Sequence, residues 1–329
     1  MLRRTFHRLL GSLAFAASGR SFADGPATAD ASPGQITRIL VGFPAGQATD
    51  QVARLVAERL QSNLGQYFIV ENRPGQGGSI ALTQLAKSPP DGSFISLSAL
   101  AGYVVNPYLY RNVSYDATRD FDPIAMVADL PLALVVNPSV PANTLKELID
   151  YAKANPEKLS NSSSGNGTLS HLLMEDLKHR AGIKMLHVPY QGSPKAIIDL
   201  IAGNVQVGLD TTTVTLPQVK AGKLKLIAAG SLTRLPDFPD TPTIAESGFP
   251  GFEAVAWVAL TAPAGTPLEW RQKLNTEVDK ALHAPDFAAR MRVIGALPRP
   301  MSILELEETF HREQKRWQEI VERTGIRIG

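Results

Sequence analysis

Two stretches of this chain have the residue types and spacing to hold a small anion. The first is Gly42-Phe43-Pro44-Ala45-Gly46-Gln47-Ala48-Thr49-Asp50, between the apolar run Ile36–Val41 and an amphipathic segment. The second is Ser162-Ser163-Ser164-Gly165-Asn166-Gly167-Thr168-Leu169-Ser170, again between a strand-like and a helix-like run. A glycine-rich turn that opens a helix leaves backbone N–H groups free at the positive end of the helix dipole, and these attract anions. The second turn adds serine and threonine hydroxyls. In open α/β sheets ligands sit at the carboxyl ends of strands, where both turns fall. Either turn alone can be purely structural. Two of them, facing each other across a cleft, would form a clamp.

Spacing tests the competing chemistries. Gly165-x-Gly167-x-x-Ser170 comes near a dinucleotide fingerprint, but Met185 and its neighbours offer no acid ~20 residues on. Neither turn ends in Gly-Lys-Ser/Thr, so the phosphate-binding loop of nucleotide hydrolases is absent, and there is no Gly-x-Ser-x-Gly elbow. His171, His179 and His187 are eight residues apart, which fits no metal motif, and the chain has no cysteine to make a soft site. Asp50 reads equally as a helix-terminus carboxylate and as a cleft residue. His171 reads as a first-turn helix residue before a base, and Trp257 and Tyr190 as core or wall residues. Neither a metal nor a cofactor is expected.

Elements that alternate would position these turns. Residues 36–41, 67–71 and 94–98 read as strands, separated by helices at 49–64, closed by Gly65, and at 79–87. Short apolar strands between helices predict a parallel sheet covered by helices. The rhythm restarts after Phe121, with strands at 124–127 and 133–136 separated by Asp129-Leu130-Pro131. Thr144 and Glu147 form a capping box for a helix to about Ala154. Strands follow at 159–163, 185–188, 205–210 and 225–229, with helices at 169–181, 193–201 (capped by Ser193, opened by Pro194, ended by Gly203) and 215–221. A strand at 253–261 leads to helices from Thr266-Pro267 and from Ser302, where Glu305 completes a second capping box. The helical tail is expected to return over the first unit.

With 329 residues, 44% hydrophobic and 19% charged, the composition is globular and large enough for two domains. The formal charge of +2 misleads. Residues 1–23 hold Arg3, Arg4, Arg8 and Arg20 and no acid; without them the balance is −2, with no basic run. Nucleic acid is therefore a poor partner. Those residues read as an export signal: a basic start, the short apolar run 9–17, and the small-x-small site Ser21-Phe22-Ala23. Arg3-Arg4-Thr5-Phe6 resembles a twin-arginine signal, although Leu2 and His7 depart from it. Residues 24–34 read as a lead-in. The chain has no cysteine, hence no thiol for a lipid anchor, and no stretch approaches the ~20 apolar residues of a membrane helix. The expected compartment is the periplasm.

The motifs together resemble one family, the extracytoplasmic solute receptors of the tripartite tricarboxylate transporters, or Bug receptors. The resemblance rests on Gly42-Phe43-Pro44-Ala45-Gly46 through Asp50, Val70-Glu71-Asn72-Arg73-Pro74-Gly75 and Pro90-Asp91-Gly92. It continues through Gly165-Asn166-Gly167-Thr168 with Ser170-His171-Leu172, Val188-Pro189-Tyr190-x-Gly192, Ala221-Gly222-Lys223-Leu224 and Ala262-Pro263-Ala264-Gly265-Thr266-Pro267. It implies a two-lobed α/β fold of the periplasmic binding protein type (type II), with domain 1 formed by 35–129 and 253–329 and domain 2 by 130–252. Hinge crossings are expected near 129–133 and 252–256. It implies a receptor, not an enzyme, that holds a small carboxylate on main-chain N–H groups and passes it to a membrane permease. The expected contacts are Phe43, Ala45, Gly46, Gln47, Ala48, Thr49 and Asp50, then Ser98 and Ala99, then Ser163, Ser164, Gly165, Asn166, Gly167 and Thr168, with Tyr190 and Asp210. A monomer is expected. Three positions depart from the family pattern: Gln47 replaces a usual glycine, Gln191 a usual basic residue, and Thr211 follows Asp210 in place of asparagine. Two other readings remain beside the receptor: a sensor subunit, and an enzyme using His171, Asp50 or Asp210.

Overall fold

The computed structural model describes residues 36–324; the expected export signal at 1–23 and the lead-in at 24–34 lie outside the described residues. Strand β1 (Ile36–Val41), helix α1 (Ala48–Leu64), β2 (Tyr67–Asn72), α2 (Ser79–Ala86) and β3 (Phe94–Ala99) form the expected alternating unit. β1 pairs in parallel with β2 and β3. α1 buries Val52, Val56 and Leu60 and stops at Gly65, whose φ of 65° turns its amide back onto Gln61 O. A π-helical turn at Ala101–Val105 and the short α3 (Asn106–Leu109) follow; they were not expected, since the run 100–105 is apolar without a helical period.

The expected strands at 124–127 and 133–136 are one strand, β4 (Phe121–Val136), which runs straight through Pro131. Its first part pairs with β9 (Val255–Pro263) as far as Pro131↔Val255. From Leu132 onward its partners are β7 (Val207–Thr211) and β8 (Lys225–Ala229). Proline lacks the N–H of a central strand, and here it stands where the partners change.

The second unit adds α4 (Leu145–Ala154), β5 (Ser160–Ser163), α5 (Leu169–Ala181), β6 (Leu186–Pro189), α6 (Ser193–Ala202) and α7 (Thr212–Lys220). Thr144 caps α4 by accepting from Glu147 N–H, while the Glu147 carboxylate turns back to Asn143 N–H. The cap of α6 is Gly192; Ser193 is already helical, and Gly203 ends the helix. The chain finishes with α8 (Leu268–His283), α9 (Pro285–Val293), β10 (Leu297–Pro298) and α10 (Ile303–Thr324). Ser302 and Glu305 make the reciprocal capping box at the start of α10.

The strand order is β2-β1-β3-β9-β4-β7-β5-β6, with β10 and β8 also on β4. The sheet is therefore mixed, not parallel throughout: β9 and β4, at its centre, run antiparallel to their neighbours. Those two strands carry the chain between the lobes, and no helical crossover obliges them to run parallel. At the passage Leu132 N–H bonds Ala254 O, Ala254 N–H bonds Gly230 O, and Gly230 N–H bonds Leu132 O. The helical tail returns over the first lobe as expected. Phe310 of α10 stacks on Tyr103 and Trp257 at centroid distances of 5.0 and 5.3 Å, and Leu306 and Trp317 are buried beside them. Burying each such side chain is worth about 1.5–3 kcal/mol. No described helix is long and apolar enough to cross a membrane.

Candidate functional site

The first turn is built by Asp50. Burial alone would raise its carboxyl, but bonds from Arg54, Gly46 N–H and Asn72 outweigh burial and lower it. Gly46 N–H donates to Oδ2 at 2.8 Å, Arg54 to both oxygens at 3.0 and 2.8 Å, and Asn72 Nδ2 to Oδ1 at 2.9 Å. Asn72 also reaches Phe43 O. Asp50 thus ties β1, β2 and α1 together, with its oxygens occupied by the chain. The first-turn amides of Ala48 and Thr49 have no intrahelical acceptor, and no backbone bond of the turn uses the Ala45 amide.

The second turn is held by its own hydroxyls. Ser164 N–H donates to Ser170 Oγ at 3.0 Å, and Thr168 Oγ1 to Gly165 O at 2.7 Å. Two histidines brace its ends: Gly167 N–H donates to His171 Nδ1 at 3.2 Å, and His187 Nε2 lies 2.7 Å from Ser163 Oγ. Their rings stack at 4.1 Å with 10° between planes. Burial, then the charge of His171, pushes His187 down to about 4, and burial lowers His171. Ser163 and His187 are within reach of a nucleophile–base pair, but a base near 4 is mismatched to neutral pH, and Ser163 is buried.

His171, Glu175 and His187 bring ligand-type atoms within 4.8 Å of one another. The arrangement does not suit an ion. By accepting from Gly167, Nδ1 of His171 leaves the ring proton on Nε2, and stacked rings do not aim their in-plane lone pairs at one point.

Between the lobes lies a cavity of about 750 Å³. Of the expected residues, Phe43, Ser164, Gly165, Asn166, Thr168 and Tyr190 line it. Ala45, Gly46, Gln47, Ala48, Thr49, Asp50, Ser163 and Gly167 belong to the two turns but do not line it in this form. Ser98 is buried in the sheet with its hydroxyl 2.5 Å from Ser96 Oγ, and Ala99 ends β3. Asp210 is buried at the end of β7, where desolvation, opposed by groups of Ser193 and Thr211, raises it to about 6.

The expected contacts did not include Pro74–Gly77, Tyr110, Gly192 or Lys195, all of which line the cavity, and Gln191, noted only as a departure from the family pattern, lines it too. The turn after β2 carried a signal that was available, because it too is a glycine-rich strand–helix junction. Lys195 Nζ bonds Gln191 Oε1 at 2.8 Å, so a cation one helical turn along is tied to Gln191 at the cavity wall. Among the lining residues Lys195 is the one full charge, and none is acidic. The Tyr190 hydroxyl donates to Asp199 Oδ2 at 2.7 Å, and burial followed by that carboxylate raises it to about 12.

Comparison with known proteins bears on the fold and the family. A family model described as the tripartite tricarboxylate transporter family receptor matches residues 52–326. The solved Rhodopseudomonas palustris protein Rpa4515 with adipate is 34% identical, with a TM-score of 0.87 over 90% of this chain and 99% of its own. The periplasmic binding protein BugD is 37% identical, with a TM-score of 0.84 over 89% and 98%. MatC from R. palustris, with bound malate, is 32% identical, with a TM-score of 0.81 over 87% and 99%. The two-lobed α/β architecture is shared with all three, and the chain belongs to the receptor family of the tripartite tricarboxylate transporters.

Proposed function

We propose that this receptor captures a small organic acid in the interlobe cavity and delivers it to the permease of a tripartite transporter. The observation that carries this reading is the lining itself. The cavity is bordered by strand–helix turns and a lysine and by no acidic side chain, which favours an anion over a neutral or cationic guest. Adipate and malate in the two solved relatives support a carboxylate. The lobes, 35–129 with 253–329 and 130–252, close by a hinge through the β4 and β9 passages. The guest's carboxylate meets the amides of the two turns, with Phe43 and Tyr190 as walls, while Asp50 and Gly167 shape the turns. The protein works as a monomer in the periplasm and reaches it through the signal at 1–23; its role is binding without turnover.

A thermal-shift screen of organic acids against their amides tests this. An acid present at a hundredfold excess over its Kd stabilises the fold by about 2.7 kcal/mol, and the matching amide should do far less. Equal shifts from acids and amides, or none from any acid, overturn the reading. Mass spectrometry of material carried through purification would identify the guest.

A further inference from the structure

Gln47 stands at the N-cap of α1 with extended backbone, yet its side chain caps nothing on its own helix. It crosses the cleft. Its Oε1 accepts from Ser193 N–H, the first amide of α6 in the other lobe, at 3.3 Å, and the residue is 6% exposed. The surroundings are shaped for this contact. A Cβ on Gly192 would lie 3.0 Å from Gln47 Oε1 and 2.7 Å from Pro44 Cγ, and one on Gly46 would already touch Pro194 at 4.0 Å. Across the cavity a second direct bond joins the lobes, Tyr110 Oη to Asn166 O at 2.8 Å. The cavity thus has one lobe-to-lobe bond at each side, and neither involves a guest.

We infer that Gln47 is a specificity-determining strap: it holds the lobes together and takes the first amide of α6 away from the guest. An amide at a helix N-terminus is a natural position for a carboxylate oxygen. With a neutral side-chain oxygen seated there, the anion positions left to a guest are those on α1 and α5. A glycine at 47 would free the α6 position for a second carboxylate. The part concerning the guest rests on the proposed function, whereas the strap does not.

The test uses the full mature chain in three forms: wild type, Gln47→Gly and Gln47→Glu. Glycine is tolerated at an N-cap, so the first variant keeps its fold. Because the chain has no cysteine, one introduced cysteine per lobe gives a clean pair of spin labels. In guest-free protein, Gln47→Gly should lower the closed-to-open ratio roughly two- to tenfold, the worth of one net hydrogen bond. Gln47→Glu keeps an oxygen for Ser193 N–H and should stay closed, but its charge should weaken every acid tenfold or more, on the order expected for a like charge in a cleft. For adipate against its monoamide, Gln47→Gly should raise the affinity ratio in favour of the diacid at least about threefold. An unchanged label distance in Gln47→Gly overturns the strap, and an unchanged affinity ratio overturns the specificity role. If wild type binds neither compound, the ratio is read with the acid that the thermal-shift screen returns and its amide; if the screen returns no acid, the carboxylate reading fails, and the label distances still decide the strap.

Discussion

Asp210 shows what a single buried carboxylate does to this fold. Desolvation raises it from 3.8 to about 6, and among the described residues no cation pairs with it. A raised acid binds a proton in the folded state that the unfolded chain has already released. Its contribution to stability is therefore present at pH below 4 and is lost as pH rises through about 6. Asp210→Asn should accordingly stabilise the protein at pH 7.5 by about 3 kcal/mol, with the gain shrinking towards pH 4. Urea denaturation at the two pH values checks this, and an equal difference at both would show that the carboxylate is not strained by burial. The residue type was legible in the sequence. Its burial was not, because that depends on β7 being covered by α6.

At the scale of elements, the first turn is a unit of β1, β2 and α1 joined through one side chain. The position of Asp50 in the first turn of a helix was legible, but its role was not, since a helix-terminus acid can face either the solvent cleft or the backbone. Four bonds, from Gly46, Arg54 and Asn72, decide it. Asp50→Ala should cost about 1–3 kcal/mol through loss of these buried, charge-assisted bonds. It should weaken organic-acid binding as well, because the amides of Ala45 and Ala48 are no longer held in place. Calorimetric affinity unchanged against a lowered melting temperature would separate the turn from the guest. The second turn behaves differently: its hydroxyls, expected as donors to an anion, are mostly spent on holding the turn itself.

At the scale of the whole molecule, the lobes meet through Leu132, Gly230 and Ala254. A Cβ on Gly230 would lie 2.6 Å from Leu132 O and 2.8 Å from the Ala254 Cβ. Gly230→Ala should therefore strain the passage and destabilise the fold by about 1–3 kcal/mol, shifting the angle between lobes even without a guest. Small-angle scattering and thermal denaturation read the two effects. A variant as stable as wild type with unchanged scattering would show that the passage is slack. Arg299 with Asp129, and Thr212 Oγ1 on Gly295 O, add polar contacts near the same passage.

Local signals determined most of the helices and edge strands, because apolar periodicity, capping residues and Gly65 or Gly203 act within one turn of chain. The two anion-type turns and the family followed from the same local patterns. Tertiary structure alone decided that residues 121–136 form one strand shared by both lobes, that the centre of the sheet is antiparallel, and that Gln47 faces Ser193, 146 residues away. Strand partners and contacts across a cleft depend on surfaces brought together from distant parts of the chain, and no short window of sequence contains both sides of such a contact.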